Sequence, residues 1–208
     1  MASFYSPRSS GTRQLKRLII VCPEGAETER SYVLAIKDVF QQEARRRFGQ
    51  TKQVPLEFTR KNNSSAPARR LKQLRQETQG VTDGNYSAWL ICDRDRWEEK
   101  AFQDIQKWVD KNSDKHNWVL NSPNFEYWLE LHFEDTPLGR KEKTQFFNKY
   151  KKKIKTTDFS YSQIVLAYNR AKQRYGFSDG NLLETDGSEM FRFIKFLANE
   201  FGLGDDFK

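Results

Sequence analysis

Two short apolar runs in this 208-residue chain end in acids. The first, Lys16 to Cys22 (KRLIIVC), passes into Pro23, Glu24 and Gly25; the second, Ser87 to Asp93 (SAWLICD), passes into Arg94 and Asp95. Acids directly after a buried strand are badly placed for the core. They are well placed to rim a cleft, because parallel α/β sheets bind ligands outside the carboxyl ends of their strands. In Asp93-x-Asp95 the first acid extends the strand and the second turns around the same opening. Glu24 from a neighbouring strand would complete an oxygen-rich set of Glu24, Asp93 and Asp95. Hard oxygen donors suit magnesium or manganese, and a cation would offset the mutual repulsion of the acids. Asp-x-Asp also occurs by chance, and Asp95 is equally placed to cap the following helix. The convergence of two strand ends is what favours the metal reading.

Other residues carry chemistry with an ordinary reading beside it. Glu126 lies among Phe125, Tyr127, Trp128 and Leu129. It reads as an additional ligand or a base tuned by desolvation, or as a first-turn glutamate favoured by the helix dipole. His132 reads as a proton shuttle or phosphate contact, or equally as a half-buried packing histidine. Glu27 and Glu29 follow Gly25 in a first helical turn, and Glu27 is the one expected to face the cleft. Glu130 lies one turn beyond Glu126 and is expected to face solvent. Ser122 suits a helix cap, and Asn124 a cap or a phosphate contact. Arg94 and Arg96 flank the acids and suit either substrate phosphate or charge neutralisation. Trp97 is the tryptophan placed to stack on a base.

The positioning elements follow from periodicity. The run to Cys22 is a β-branched buried strand. A helix is expected over 26–47, with Tyr32, Val33, Ile36, Val39, Phe40 and Ala44 as its apolar stripe and Gly49 as its stop. Val54 to Arg60 alternates as a second strand, and a basic helix is expected over 68–79. Ser87 to Asp93 is the third strand. A helix with Phe102, Ile105, Trp108 and Val109 on one face follows, then a fourth strand over His116 to Ser122. Pro123 to Phe133 reads as a proline-opened aromatic helix. Beyond residue 140 only helices are expected, around Phe146 to Ile154, Ile164 to Ala171 and Met190 to Phe201. The reading is an α/β fold: a Rossmann-like, mostly parallel four-stranded sheet with flanking helices and a C-terminal helical extension. Its boundaries are a flexible lead over 1–14, a core over 15–135 and the extension over 136–208.

Composition narrows the function classes. With two His and two Cys, neither a Cys/His zinc site nor a Cys-His nucleophile pair has good material. Cys22 and Cys92 end apolar runs and are expected as buried reduced thiols. No apolar run approaches the roughly 18 residues of a membrane helix, and the polar start lacks a signal-peptide core. A cytoplasmic protein is expected. The net charge of +8 and pI of about 9.4 favour a polyanionic partner. The charge concentrates in two stretches, Arg60 to Arg75 and Arg140 to Lys155. Arg69, Arg70, Arg94, Arg96, Lys151, Lys152 and Lys153 are the nucleic-acid-binding candidates. A solvated helix face is the ordinary explanation of such runs.

An apolar strand ending in Glu24-Gly25, followed by one ending in Asp93-Arg94-Asp95, resembles the Toprim domain of topoisomerases, primases and overcoming-lysogenization-defect nucleases. A narrower resemblance is to the RloB-like family of bacterial defence-associated proteins. It rests on Glu24-Gly25-Ala26-Glu27-Thr28-Glu29-Arg30-Ser31-Tyr32, on Asp93-Arg94-Asp95, and most specifically on Ser122-Pro123-Asn124-Phe125-Glu126-Tyr127-Trp128-Leu129-Glu130-Leu131-His132-Phe133. It covers roughly residues 16 to 133. The chain departs from it at Pro23 and at Thr185-Asp186-Gly187-Ser188. The resemblance implies a Toprim-like fold and magnesium-dependent cleavage of a phosphodiester in DNA or RNA. Glu24 would be general acid/base or metal ligand, and Asp93 and Asp95 metal ligands. It also implies an ATPase partner protein in a defence system; no Walker A pattern occurs in this chain. Two other functions remain open: a non-catalytic nucleic-acid or nucleotide binding module, and small-molecule phosphoester hydrolysis at the same site.

Overall fold

The structure is a computed structural model, and it describes residues 16–25, 27–60, 66–81, 84–94, 97–135, 159–177 and 186–208. Strand β1 (Leu18–Pro23) is followed by α1 (Thr28–Phe48), β2 (Leu56–Phe58), α2 (Pro67–Gln79) and β3 (Tyr86–Asp93). Then come α3 (Lys100–Asp110), β4 (His116–Ser122), α4 (Phe125–Glu130), α5 (Tyr161–Phe177), β5 (Gly187–Ser188) and α6 (Met190–Phe201). The helix stop expected at Gly49 is present: this residue is left-handed at φ 67°, and its N–H returns to the Arg45 carbonyl.

The strands form one sheet in the order β2-β1-β3-β4-β5. β2, β1, β3 and β4 are parallel, and β5 is antiparallel to β4. The four-stranded sheet expected from the sequence is therefore five-stranded. The fifth strand is two residues long and pairs Ser188 with Asn121 and Gly187 with Ser122. Two residues carry no alternation to read, so a helices-only tail was the natural expectation.

Side chains alternate cleanly across the sheet. Ile19, Val21, Trp89, Ile91 and Val119 join one core with α1, α4, α5 and α6. Ile20, Cys22, Ala88, Leu90, Cys92 and Leu120 join a second core with α2 and α3. β1, β3 and β4 are thus covered on both faces, which explains the continuous apolar runs of β1 and β3 and the Trp118-Val119-Leu120 centre of β4; the edge strand β2 leaves Glu57 exposed. The C-terminal helices complete the first core: Tyr168, Phe193, Ile194 and Phe201 are all buried in it. The helix expected from Pro123 begins instead at Phe125, after a cis Ser122–Pro123 peptide and an extended Asn124.

The chain leaves β1 toward β2 on one side and returns to β3 on the other. The order reverses between β1 and β3, and that point is where open α/β sheets form their ligand crevice. Glu24 and Asp93 stand at its two lips.

Candidate metal centre at the strand ends

The two strand-end acids meet. Glu24 Oε2 accepts the backbone N–H of Asp93 at 2.6 Å, joining the ends of β1 and β3. Glu24 Oε1 accepts the indole N–H of Trp97 at 3.3 Å. From behind, the buried guanidinium of Arg70 donates to the Glu24 carbonyl oxygen at 2.6 Å. Glu24 is itself nearly buried; its carboxylate is held by the end of β3 and by Trp97, and its backbone by Arg70.

Two more carboxylates close on the same point. Glu29, in the first turn of α1, accepts the backbone N–H of Gly25 at 3.0 Å. A Cβ at residue 25 would collide with that carboxylate, so the glycine lets Glu29 fold back over the end of β1. Glu126, in the first turn of α4, is buried and within electrostatic reach of Asp93. The Asp93 carboxyl is pushed well above the usual carboxylate range. Desolvation is the largest cause, followed by the charges of Glu24, Glu29 and Glu126, while a hydrogen bond from the Phe125 N–H opposes the shift. Asn121, fully buried at the end of β4, donates to Asp93 Oδ1 at 3.4 Å. Ser188 of β5 holds the Asn121 side-chain carbonyl at 2.7 Å.

Of the sequence candidates, Glu24, Asp93 and Glu126 come together here. Asp95 and Arg96 lie outside the described residues, as do Lys151, Lys152 and Lys153. Arg94 stays beside the acids, its guanidinium on the Trp97 carbonyl. Arg69 is exposed near the start of α2. Arg70 is 4% exposed and faces inward; it braces the site instead of presenting to solvent. His132 is buried among Tyr32, Trp128 and Phe159. Its Nδ1–H donates to the Trp128 and Leu129 carbonyls, so Nε2 accepts the Tyr32 hydroxyl at 3.0 Å. Burial holds its pKa down to about 3, so the structure places it as a packed, neutral histidine. Glu130, expected in solvent, is 2% exposed.

Glu29 reaches the acids where the sequence points to Glu27, and Asn121 and Ser188 join them without being among the sequence candidates. For Glu29 a signal existed: it lies four residues after Gly25, a spacing that brings a first-turn side chain back over the strand end. For Asn121 and Ser188 none did, because their positions depend on a two-residue pairing.

The donor chemistry fits a hard divalent cation. The groups are oxygens, their charges repel one another, and a cation relieves that repulsion. The buried thiols of Cys22 and Cys92 are pushed upward, chiefly by desolvation, and stay protonated. Among the described residues, however, no three His, Cys, Asp or Glu side chains are already arranged to hold a metal. The reason is visible in the bonding: Glu24 and Glu29 are turned onto the amides of Asp93 and Gly25. A complete ligand set needs one of them to turn off its amide, or needs Asp95.

No helix among the described residues is long and apolar enough to cross a membrane. No curated protein and no solved structure matches the chain significantly. The family model for RloB-like protein matches residues 18–197. This match begins at β1 and runs into α6, spanning the sheet, the acid cluster and the C-terminal helices, and the chain belongs to the RloB-like family.

Proposed function

We propose that this chain is a Toprim-type, magnesium- or manganese-dependent nuclease that hydrolyses phosphodiesters of DNA or RNA, as the effector of a bacterial defence system with an ATPase partner. The observation that carries the reading is the convergence of Glu24, Asp93, Glu29 and Glu126 at the strand-order reversal. A structural role does not call for three acids gathered around a fourth whose ionisation they oppose; a site that recruits a cation to a phosphate does. The defence role and the ATPase partner rest on the family resemblance alone.

Asp93, Asp95 and Glu24 would hold the ion, with Glu126 completing the set. Held there, such an ion would supply positive charge to a phosphoryl oxygen and would acidify bound water. Glu24 is the acid that would hold the ion or move a proton, and its two oxygens accept from Asp93 N–H and Trp97 Nε1–H until one of them is released. Asn121 and the Phe125 N–H orient Asp93. Arg70 fixes the backbone of Glu24 and places one positive charge behind the acids. Arg69, exposed beside it, draws the nucleic-acid backbone toward the crevice.

Labelled DNA and RNA, incubated with the chain in magnesium, manganese or chelator, test this reading beside Glu24→Ala and Asp93→Ala. Metal-dependent cleavage lost in both variants is expected. Cleavage that survives both, or that needs no metal, contradicts it. A non-catalytic nucleotide or nucleic-acid module is the second reading, favoured by Glu24 and Glu29 being committed to backbone amides. Inactivity of the chain, alone and with its partner, together with metal-sensitive binding would select it.

A further inference from the structure

Trp97 differs from the other four indoles. Trp89, Trp108 and Trp128 are core residues at 4%, 5% and 0% exposure. Trp118 is bonded to Gln106 and stacked on Phe102. Trp97 is half-buried, packs against the core under α2 and α3, and turns its N–H edge onto Glu24 at the crevice. Its backbone is held at both ends by Arg94: the Trp97 N–H donates to the Arg94 carbonyl at 3.0 Å, and the Arg94 guanidinium donates to the Trp97 carbonyl. The indole is therefore a fixed, partly open aromatic surface touching the acid that the proposed reaction uses. The Glu24 backbone carbonyl is bonded by Arg70, with exposed Arg69 next to it in the chain.

We propose that Trp97 is a stacking platform for one unpaired nucleobase, which makes single-stranded nucleic acid the substrate class. The inference rests on the nuclease reading above and deepens it. A duplex keeps the faces of its bases covered by their neighbours, so a platform this close to the acids reaches only a base that is already unstacked. Arg69 supplies charge that any backbone can use. Trp97 supplies the selection, because every base has a π-face and only an unpaired one can present it.

The test is fluorescence anisotropy with a labelled single-stranded RNA, its DNA equivalent and the matching duplexes, at fixed salt and with chelator so that nothing is cut. The wild type is compared with Trp97→Phe and Trp97→Leu, each first shown by thermal unfolding to be folded. Stacking on an aromatic contributes roughly 1 to 3 kcal/mol per base. Trp97→Leu should therefore weaken single-strand binding by roughly 5- to 150-fold and leave duplex binding unchanged, while Trp97→Phe stays within about threefold of wild type. Single-strand binding by Trp97→Leu equal to wild type overturns the inference, and so does an equal loss on duplexes. Both leave the nuclease reading standing. Wild-type protein that binds none of the four probes removes the nuclease reading, and the inference falls with it.

Discussion

The carboxylate of Glu24 accepts the backbone N–H of Asp93 at 2.6 Å, so the ends of β1 and β3 are tied together by one of the acids proposed to do the chemistry. The same carboxylate adds its charge to those of Glu29 and Glu126 in opposing ionisation of Asp93. The contact orders the site and strains it electrostatically at once, the condition expected where function is retained at a cost in stability.

Replacing Asp93 with asparagine separates those two effects. The amide keeps the shape and removes the charge that three neighbours repel. In chelator, Asp93→Asn should unfold at a higher temperature than wild type, a gain of about 1 kcal/mol. Its cleavage should fall by roughly a hundredfold or more, the size seen when one transition-state-stabilising group is lost. Added manganese should raise the melting temperature of wild type and not of the variant. A variant that melts lower in chelator contradicts the repulsion.

Adjacent arginines on α2 should behave oppositely. Arg70→Met removes a buried donor from the Glu24 carbonyl and the cation behind the acids. Urea unfolding should show a loss of roughly 2 to 4 kcal/mol. Arg69→Ala is an exposed change and should stay within about 0.5 kcal/mol. It should instead lower the salt dependence of nucleic-acid binding by about one unit of slope. Equal stability losses in the two variants would contradict the division of roles.

Gly25 is required by the approach of Glu29. Gly25→Ala places a methyl where the Glu29 carboxylate now sits, and that flexible side chain must move. Manganese affinity should fall by roughly 10- to 100-fold, the range for residues that orient ligands. Glu29→Gln should fall with it. Unchanged affinity in Gly25→Ala would release Glu29 from the site.

His132 should leave its mark on stability against pH. Its pKa is held down to about 3 from an ordinary 6.5. The unfolded chain takes up a proton near 6.5 that the folded chain refuses until about 3. Stability is therefore fully present above pH 6.5 and is lost progressively as pH falls through that window, by on the order of 2 kcal/mol at pH 5. His116, whose pKa is also lowered by desolvation, adds its own acid-side loss, so the readout is the difference between wild type and His132→Gln in urea unfolding at pH 7.5 and 5. A smaller acid-induced loss in the variant is expected; identical losses would place His132 outside the core.

Much of this geometry could be read from local signals. Strands buried on both faces carry continuous apolar runs, so β1 and β3 are legible within a residue or two and β4 through Trp118, Val119 and Leu120, and the acids at the ends of β1 and β3 mark the crevice. Glu126 was legible because an acid among four apolar neighbours has few places to go. What escaped depended on contacts distant in sequence. β5 exists only through pairing with β4, and Asn121 reaches the site only because Ser188 holds it. Arg70 reads as a surface cation in a basic helix until β1 is packed behind it. His132 had two balanced readings, and its aromatic neighbours from α1 and from the segment before α5 decide between them.

Isothermal titration of manganese into the wild-type chain, Glu24→Gln, Glu126→Gln and Asp93→Asn tests the central claim most directly. At least one saturable site is expected in wild type, weakened in Glu24→Gln and Glu126→Gln and lost in Asp93→Asn, with all four proteins folded. No saturable binding by wild type, or binding by Asp93→Asn equal to wild type, would contradict a metal centre at the ends of β1 and β3.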